Sequence, residues 1–278
     1  MRCPVCGKTD WCLIRIGLGG ELLSAICPRV ESPRRWSDAG YLHEFTSTPG
    51  TPRIPRRAIR VSIGRDFEPL AGQLRDAVEP DDLHAFARDL GVSTQSLRLL
   101  GIGWVSGPAL VQLGVKHASH AWSFPMFDHR GRTIGIRLRL PNGRKLAVKG
   151  SKNGLFIPSG SPVAGSIFIA EGESDTAALL TMGVYAIGRP GARQCVRALQ
   201  RHLLGQRVGQ VVVVADNDAV GGQGAAELVE GLKARGAAVR LIRTPEKDVR
   251  RWLQTGATRV DLDQLVDTAR ADSGGGHE

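Results

Sequence analysis

Apolar residues recur with two different periods along this chain. From residue 161 to about 268, short continuous apolar runs alternate with helical patterns. The runs predict strands over 166–170, 184–187, 211–215 and 238–242, and the intervening patterns predict helices over 174–182, 192–203 and 223–235. Strands that are apolar at consecutive positions are covered on both faces, so this region reads as a parallel, doubly wound sheet. From 121 to 158 the pattern is of strands joined by turns: Ala121–Phe127, Ile134–Leu140 and Lys145–Lys149, with turns at Asp128-His129-Arg130-Gly131 and Pro141-Asn142-Gly143. From about 66 to 102 the period is helical. Pro80-Asp81-Asp82 opens a helix with Leu83, Phe86, Ala87 and Leu90 on one face, Gly91 breaks it, and Ser93 caps a second helix through Leu100. Two packed helices fit this better than a DNA-reading helix-turn-helix. Residues 46–58 are rich in Pro and Arg and predict an extended tether.

The cysteines add a module that hydrophobic patterning alone does not predict. Four of the five lie within the first 27 residues. Cys3-Pro4-Val5-Cys6-Gly7 is a knuckle that supplies half of a tetrahedral zinc site. Gly19-Gly20 reads as a hairpin turn, which pairs Leu18 with Glu21 and, in register, sets Cys12 opposite Cys27. Cross-strand partners share a face with Cβ atoms ~5 Å apart. The hairpin can therefore present both thiolates to the knuckle, giving a zinc ribbon with ligands Cys3, Cys6, Cys12 and Cys27. His43 is the rival fourth ligand. Cys195, in a helical stretch, reads as an ordinary buried thiol.

The fold class is thus α/β: a small N-terminal β ribbon, an α+β middle and a C-terminal parallel sheet. The expected segments are a zinc ribbon (1–48), a basic linker (49–65), a basic α+β subdomain (66–160), the parallel-sheet domain (161–268) and a flexible Gly-rich tail (269–278). The net charge is +10 with a pI of about 10.0, which favours an anionic partner, nucleic acid first. The excess is uneven: residues 1–65 hold 11 Lys and Arg against 5 Asp and Glu. No run approaches the ~18 apolar residues of a membrane span and none marks a signal peptide. The expectation is a cytoplasmic protein, where clustered cysteines bind metal more often than they form disulfides.

Acidic residues follow the strands of the C-terminal region. Glu171 ends the first, Asp216-Asn217-Asp218 follows the third, and Asp248 follows the last. Ligands of an open α/β sheet bind at the C-terminal ends of its strands. Carboxylates gathered there need a cation, and hard oxygen ligands suit Mg²⁺ or Mn²⁺. Helix capping explains one such acid easily and four poorly. Upstream, Arg137 and Arg139 share a strand face, and Lys145, Lys149 and Lys152 precede Gly154-Leu155-Phe156. This basic segment suits nucleotide or template phosphates about as well as it suits an exposed sheet face.

As a set, Glu171-Gly172-Glu173-Ser174-Asp175, Asp216-Asn217-Asp218 and Lys247-Asp248 resemble the topoisomerase–primase (Toprim) domain. With a zinc ribbon, a tether and a basic subdomain ahead of it, the chain resembles DNA primases of phage and plasmid type. The resemblance implies primer synthesis on single-stranded DNA by metal-dependent nucleotidyl transfer. It implies that Asp216 and Asp218 hold Mg²⁺, that Glu171 completes the metal site or assists deprotonation of the 3′-OH, that Asp248 binds a second metal or orients the first, and that Lys145, Lys149 and Lys152 hold phosphates of nucleoside triphosphate or template. The Cys-x2-Cys-x5-Cys-x14-Cys spacing departs from the family's paired knuckles. No Gly-x4-Gly-Lys-Ser/Thr stretch occurs, so a helicase partner would be a separate protein. A Toprim-type nuclease, or a non-catalytic zinc-ribbon protein that binds single strands or recruits a helicase, are the alternatives.

Overall fold

The computed structural model describes residues 2–10, 12–16, 22–36, 39–45, 66–116, 118–160, 165–206 and 209–274. Two compact units emerge, residues 1–56 and 57–278. The Gly19-Gly20 turn and the linker expected over 49–65 lie outside the described residues.

The first unit is a three-stranded antiparallel sheet, β1 (Leu13–Ile16), β2 (Leu22–Cys27) and β3 (Tyr41–Glu44), in that order. Leu13 pairs with Ile26, Ile14 with Ala25 and Arg15 with Ser24, the register that carries Cys12 toward Cys27. A bulge between Arg15 and Ile16 then shifts the pairing, so the predicted register stops there. Its interior is small, and Cys3, Ala25 and Cys27 are its fully buried apolar residues among those described. A unit with so little core needs a staple.

The second unit holds two four-stranded sheets. The antiparallel one is a meander of β4 (Gly103–Ser106), β5 (His120–Phe127), β6 (Thr133–Arg139) and β7 (Lys145–Ala147). It is packed by α1 (Glu68–Asp76), α2 (Pro80–Leu90), α3 (Thr94–Leu99) and α4 (Gly107–Gln112). α2 follows its sequence signals: Pro80 in the first turn, Asp81 and Asp82 at the positive end of the helix dipole, and Gly91 in the left-handed region at its end. The Ser93 side chain caps α3 by accepting from the Ser96 N–H. Both helices bury their apolar faces in the core, as a packed pair does.

The parallel sheet comprises β8 (Ser166–Glu171), β9 (Ala186–Arg189), β10 (Gln210–Ala215) and β11 (Val239–Arg243), in the order β11-β10-β8-β9. Period-2 alternation explains its two covered faces. Ile167, Ile169, Val211 and Val213 pack with α6 (Val196–Leu204) and α7 (Ala219–Lys233). Phe168, Ala170, Val212 and Val214 face the other way, toward α5 (Gly172–Thr181), α8 (Val249–Gln254) and α9 (Arg259–Gly274). That second core also contains Trp104, Trp122 and Phe124, so residues of the segments 66–160 and 161–268 pack together there. Short bridges, Phe127 to Leu155 and Phe156 to Gly188, tie the two sheets together. α9 continues to Gly274, past residue 268 where the sequence places the start of a tail. Cys195 is a half-buried N-cap with φ of 57°, not a residue inside a helix.

Candidate active site

The strand order places a switch point between β8 and β10. β8 connects outward to β9, the chain then crosses back to β10, and the crevice at the C-terminal ends of these adjacent strands is where such sheets bind ligands. Val213 stands opposite Ile169, so Glu171 and Asp216 emerge from neighbouring strands at that edge. Gly172 takes a φ of 82°, which permits α5 to start directly after Glu171. At Gly221 a Cβ would lie 2.9 Å from the Cβ of Asp216, so only glycine lets α7 approach this acid. The loops after β10 and β11 are pinned together by the Asn217 N–H donating to the Lys247 carbonyl at 2.8 Å.

Asp218 and Asp248 both cap helices. The Asp218 carboxylate accepts from the Gly221 N–H at 2.7 Å and Asp248 from the Arg251 N–H at 2.7 Å. Capping therefore accounts for one oxygen of each, more than the sequence reading allowed. A further acid, Asp175 on α5, joins them: it is buried, and accepts from the Arg250 N–H at 2.9 Å. The acids repel one another. Asp216 is pushed up to about 7, chiefly by burial and then by Asp175, Glu171, Asp248 and Asp218. Asp175 is pushed up to about 6, again mainly by burial, with Asp248 adding to it.

Cations rim this edge. Glu173, 1% exposed, binds Lys145 at 2.9 Å and Arg139 at 3.4 Å. Burial alone would raise its carboxyl, but Lys145 and then Arg139 hold it below the usual range. A Cβ on Gly172 would lie 3.4 Å from the Lys145 Nζ, so this lysine reaches the acidic edge. Lys149 and Lys152 are exposed in the segment after β7. Arg189 pairs in register with Glu171, is buried, and donates to the Ala192 carbonyl. Burial pulls its pKa down and Glu171 opposes that.

Among these, Asp175, Glu173 and Arg189 carry no assignment in the sequence reading. Two acids within a helix otherwise bound for a core, Gly172 to Thr181, are the signal that could have found the first two. Arg189 has no such signal, because only strand pairing sets it beside Glu171. Together the carboxylates offer hard oxygen donors whose mutual repulsion a divalent cation would relieve. Lys145, Arg139 and Arg189 add positive charge for an anionic ligand beside them.

The cysteine cluster is tighter. The ligand atoms of Cys3, Cys6, Cys12 and Cys27 all lie within 4.8 Å of one another, the one such metal-ligating group among the described residues. Cys6 and Cys12 sulfurs are 3.6 Å apart, and Cys12 and Cys27 sulfurs 3.9 Å. A tetrahedron with Zn–S bonds of about 2.3 Å has edges of about 3.8 Å, so the four fit a structural zinc. The Lys8 N–H pulls Cys6 down to about 6, while burial and the neighbouring sulfurs push Cys12 up to about 12. Gathering four thiolates there therefore needs a cation. Arg29 stands beside them, with its Nη1 3.6 Å from the Cys12 sulfur and both terminal nitrogens bonded to Asp10. His43 is not a member of this group, and its Nε2 lies 3.0 Å from the Val30 carbonyl.

No family model matches this chain, and no curated protein matches its sequence. Solved structures do match its fold. The DnaG catalytic core aligns with a TM-score of 0.54 at 18% identity, over 74% of this chain and 82% of that one. The DnaG primase catalytic domain bound to single-stranded DNA aligns with a TM-score of 0.54 at 17% identity, over 73% and 79%. The Aquifex aeolicus primase, with zinc-binding and RNA polymerase domains, aligns with a TM-score of 0.53 at 16% identity, over 71% and 59%. The chain thus has the fold of DnaG-type primase catalytic domains. No helix among the described residues is long and apolar enough to cross a membrane.

Proposed function

We propose that this protein is a DNA primase, a nucleotidyltransferase that makes short RNA primers on single-stranded DNA. One observation carries the reading: in a primase-type fold, Asp175, Glu171, Asp248 and Asp218 all act on Asp216 at the switch point of the parallel sheet, with Lys145 delivered beside them. Glu171, Asp216 and Asp218 would hold Mg²⁺ or Mn²⁺, which supplies Lewis-acid polarisation of phosphoryl oxygens and orients the triphosphate.

The chain's own groups divide the remaining tasks. Lys145 and Arg139, anchored on Glu173, offset charge on the nucleotide phosphates, with Lys149 and Lys152 further along the same segment for nucleotide or template. Asp248, with one oxygen fixed by its cap, keeps the other free to orient the metal-bearing acids or to take a second cation. Asp175 ties α5 to α8 and holds that geometry. Arg189 lies beside Glu171 and adds positive charge at that strand end. The ribbon of residues 1–48 engages the template, with a stacking face from Trp36, 52% exposed, or from Trp11, which lies outside the described residues. The parallel-sheet segment acts as a Toprim domain, and the sequence resemblance points to a phage- or plasmid-type enzyme that works in the cytoplasm with a separate helicase.

The test is primer synthesis on a mixed single-stranded DNA template with labelled ribonucleotides and Mg²⁺ or Mn²⁺. Wild type is expected to give short template-dependent products. Glu171→Gln and Asp216→Asn are expected to lose at least about a hundredfold, the scale of removing one charge-stabilising group from a catalytic centre. Cleavage of the template by wild type, lost in both variants, would make the chain a nuclease instead.

A further inference from the structure

Arg139 has a second side. Beyond its contact with Glu173 it lines a cavity of about 400 Å³, shared with Phe86, Trp104, His120, Trp122 and Arg250. A volume of that order suits a small ligand. The aromatic rings form a ladder. Phe86 stacks on Trp122 with centroids 4.5 Å apart and planes 16° from parallel. Trp122 meets Trp104 edge-on at 4.8 Å, and Trp104 stacks on His120 at 4.4 Å and 17°. Cross-strand pairing sets Trp104 directly opposite Trp122 on β4 and β5. The two tryptophans are nearly buried, whereas Phe86 and His120, at the ends of the ladder, are half-exposed. The tryptophans belong to the core, and the ring surface presented at the cavity is that of the two ladder ends, Phe86 and His120.

The remaining lining narrows the ligand class. Arg139 and Arg250 supply positive charge, and Asp89 adds a carboxylate that accepts from amino groups. Aromatic faces, guanidinium groups and a carboxylate together suit a nucleobase carrying a phosphate better than a bare anion or an apolar molecule. The cavity also shares a wall with the acidic edge: Arg139 contacts Glu173, and the Arg250 N–H binds Asp175.

We propose that this cavity takes one unstacked base of the single-stranded nucleic acid, stacked on an end of the ladder, Phe86 or His120, with its phosphate against Arg139 or Arg250. The proposal rests on the primase reading and extends it by assigning a strand-positioning subsite outside the metal-binding acids. Stacking a base on an aromatic side chain contributes ~1–3 kcal/mol and tolerates any sequence. The subsite therefore adds affinity without selecting a template.

A 12-nucleotide oligodeoxynucleotide bearing 5-iodouracil, cross-linked to the full-length protein by light and mapped by mass spectrometry, tests this directly. Crosslinks are expected at Phe86 or His120, the accessible ends of the ladder. In parallel, fluorescence anisotropy follows the same oligonucleotide on wild type, His120→Ala and the cavity-filling Ala85→Phe, with circular dichroism melts to show that both variants fold. Each is expected to bind at least about fivefold more weakly, the lower end of one stacking contact. The salt dependence should not change, because no phosphate contact is removed. Crosslinks confined to other segments, together with wild-type affinity in both variants, would overturn the proposal. So would 5-iodouridine monophosphate labelling the cavity when the oligonucleotide does not, because the ligand would then be a free nucleotide. None of these readouts needs synthesis. Cavity crosslinks in a protein that makes no primer would sink the primase reading and leave the subsite, and a working primase with an unlabelled cavity would do the reverse.

Discussion

The four sulfurs of the N-terminal ribbon lie within 4.8 Å of one another, whereas the carboxylates at the edge of the parallel sheet do not close into such a shell. Two of them, Asp218 and Asp248, are turned toward helix N–H groups. The difference follows from what each cluster must do. A structural zinc takes all four ligands from the protein, so strand register and a knuckle can preassemble them. A hard cation in phosphoryl chemistry keeps positions for water and substrate oxygens. Its protein ligands need only stand near one another on separate loops.

Zinc removal should produce the largest effect. Structural zinc contributes on the order of 10–16 kcal/mol to small domains, and the ribbon buries little else. Purified protein is expected to carry one zinc per chain, Cys12→Ser to lose it, and His43→Ala to keep it. Elemental analysis decides this, with limited proteolysis expected to digest the zinc-free ribbon first. Stoichiometric zinc in Cys12→Ser would break the comparison at its firmer end, because the cluster would then not need its fourth thiolate.

A smaller effect is expected at Glu173. Replacing it with Ala strands Lys145 and Arg139 beside the acids. Breaking a fully buried pair costs about 3–5 kcal/mol. Lys145 keeps about a third of its side chain in water, so about 2–3 kcal/mol is the expectation here. At about 2–4 °C per kcal/mol for a unit of this size, the melting temperature should fall by roughly 5–10 °C, and less for Glu173→Gln. An unchanged melting temperature would mean that this pair holds phosphate ligands only and not the fold.

Much of this was legible in the residues. Continuous apolar runs gave the four parallel strands because both faces are covered. The Cys12–Cys27 pairing followed from hairpin arithmetic, although the bulge at Arg15 and Ile16 shows that the register does not extend to the turn. Elements set by tertiary context were harder to read. β3 and β4 are four residues each, α4 and α8 six each, and none has enough sequence to show a period. The acids were found by their positions after strands. Asp175 was missed because its partner, the Arg250 N–H, is 75 residues away. The ladder was missed because Phe86, Trp104 and Trp122 meet only when α2 folds over the meander.

The smallest expected effect is also the one that separates the two clusters most cleanly. Asp216 titrates at about 7 and Asp175 at about 6 in the folded chain, both above the ~3.9 of an unfolded Asp. Between about pH 4 and 7 the folded state keeps protons that the unfolded state has released. Stability must therefore fall as pH rises through that window. Wild type freed of Mg²⁺ but keeping its zinc should melt at a lower temperature at pH 8 than at pH 5, and added Mg²⁺ should recover part of the loss at pH 8. Asp216→Asn removes the charge, so its Mg²⁺-free melting temperature should vary less with pH and exceed wild type by a few degrees at pH 8, while primer synthesis is lost. A wild-type melting temperature that rises between pH 5 and 8 would show that the carboxylates are not in conflict. If the expected slope is found, the strain that Asp216 places on the Mg²⁺-free fold is the same repulsion that draws a cation to the acidic edge.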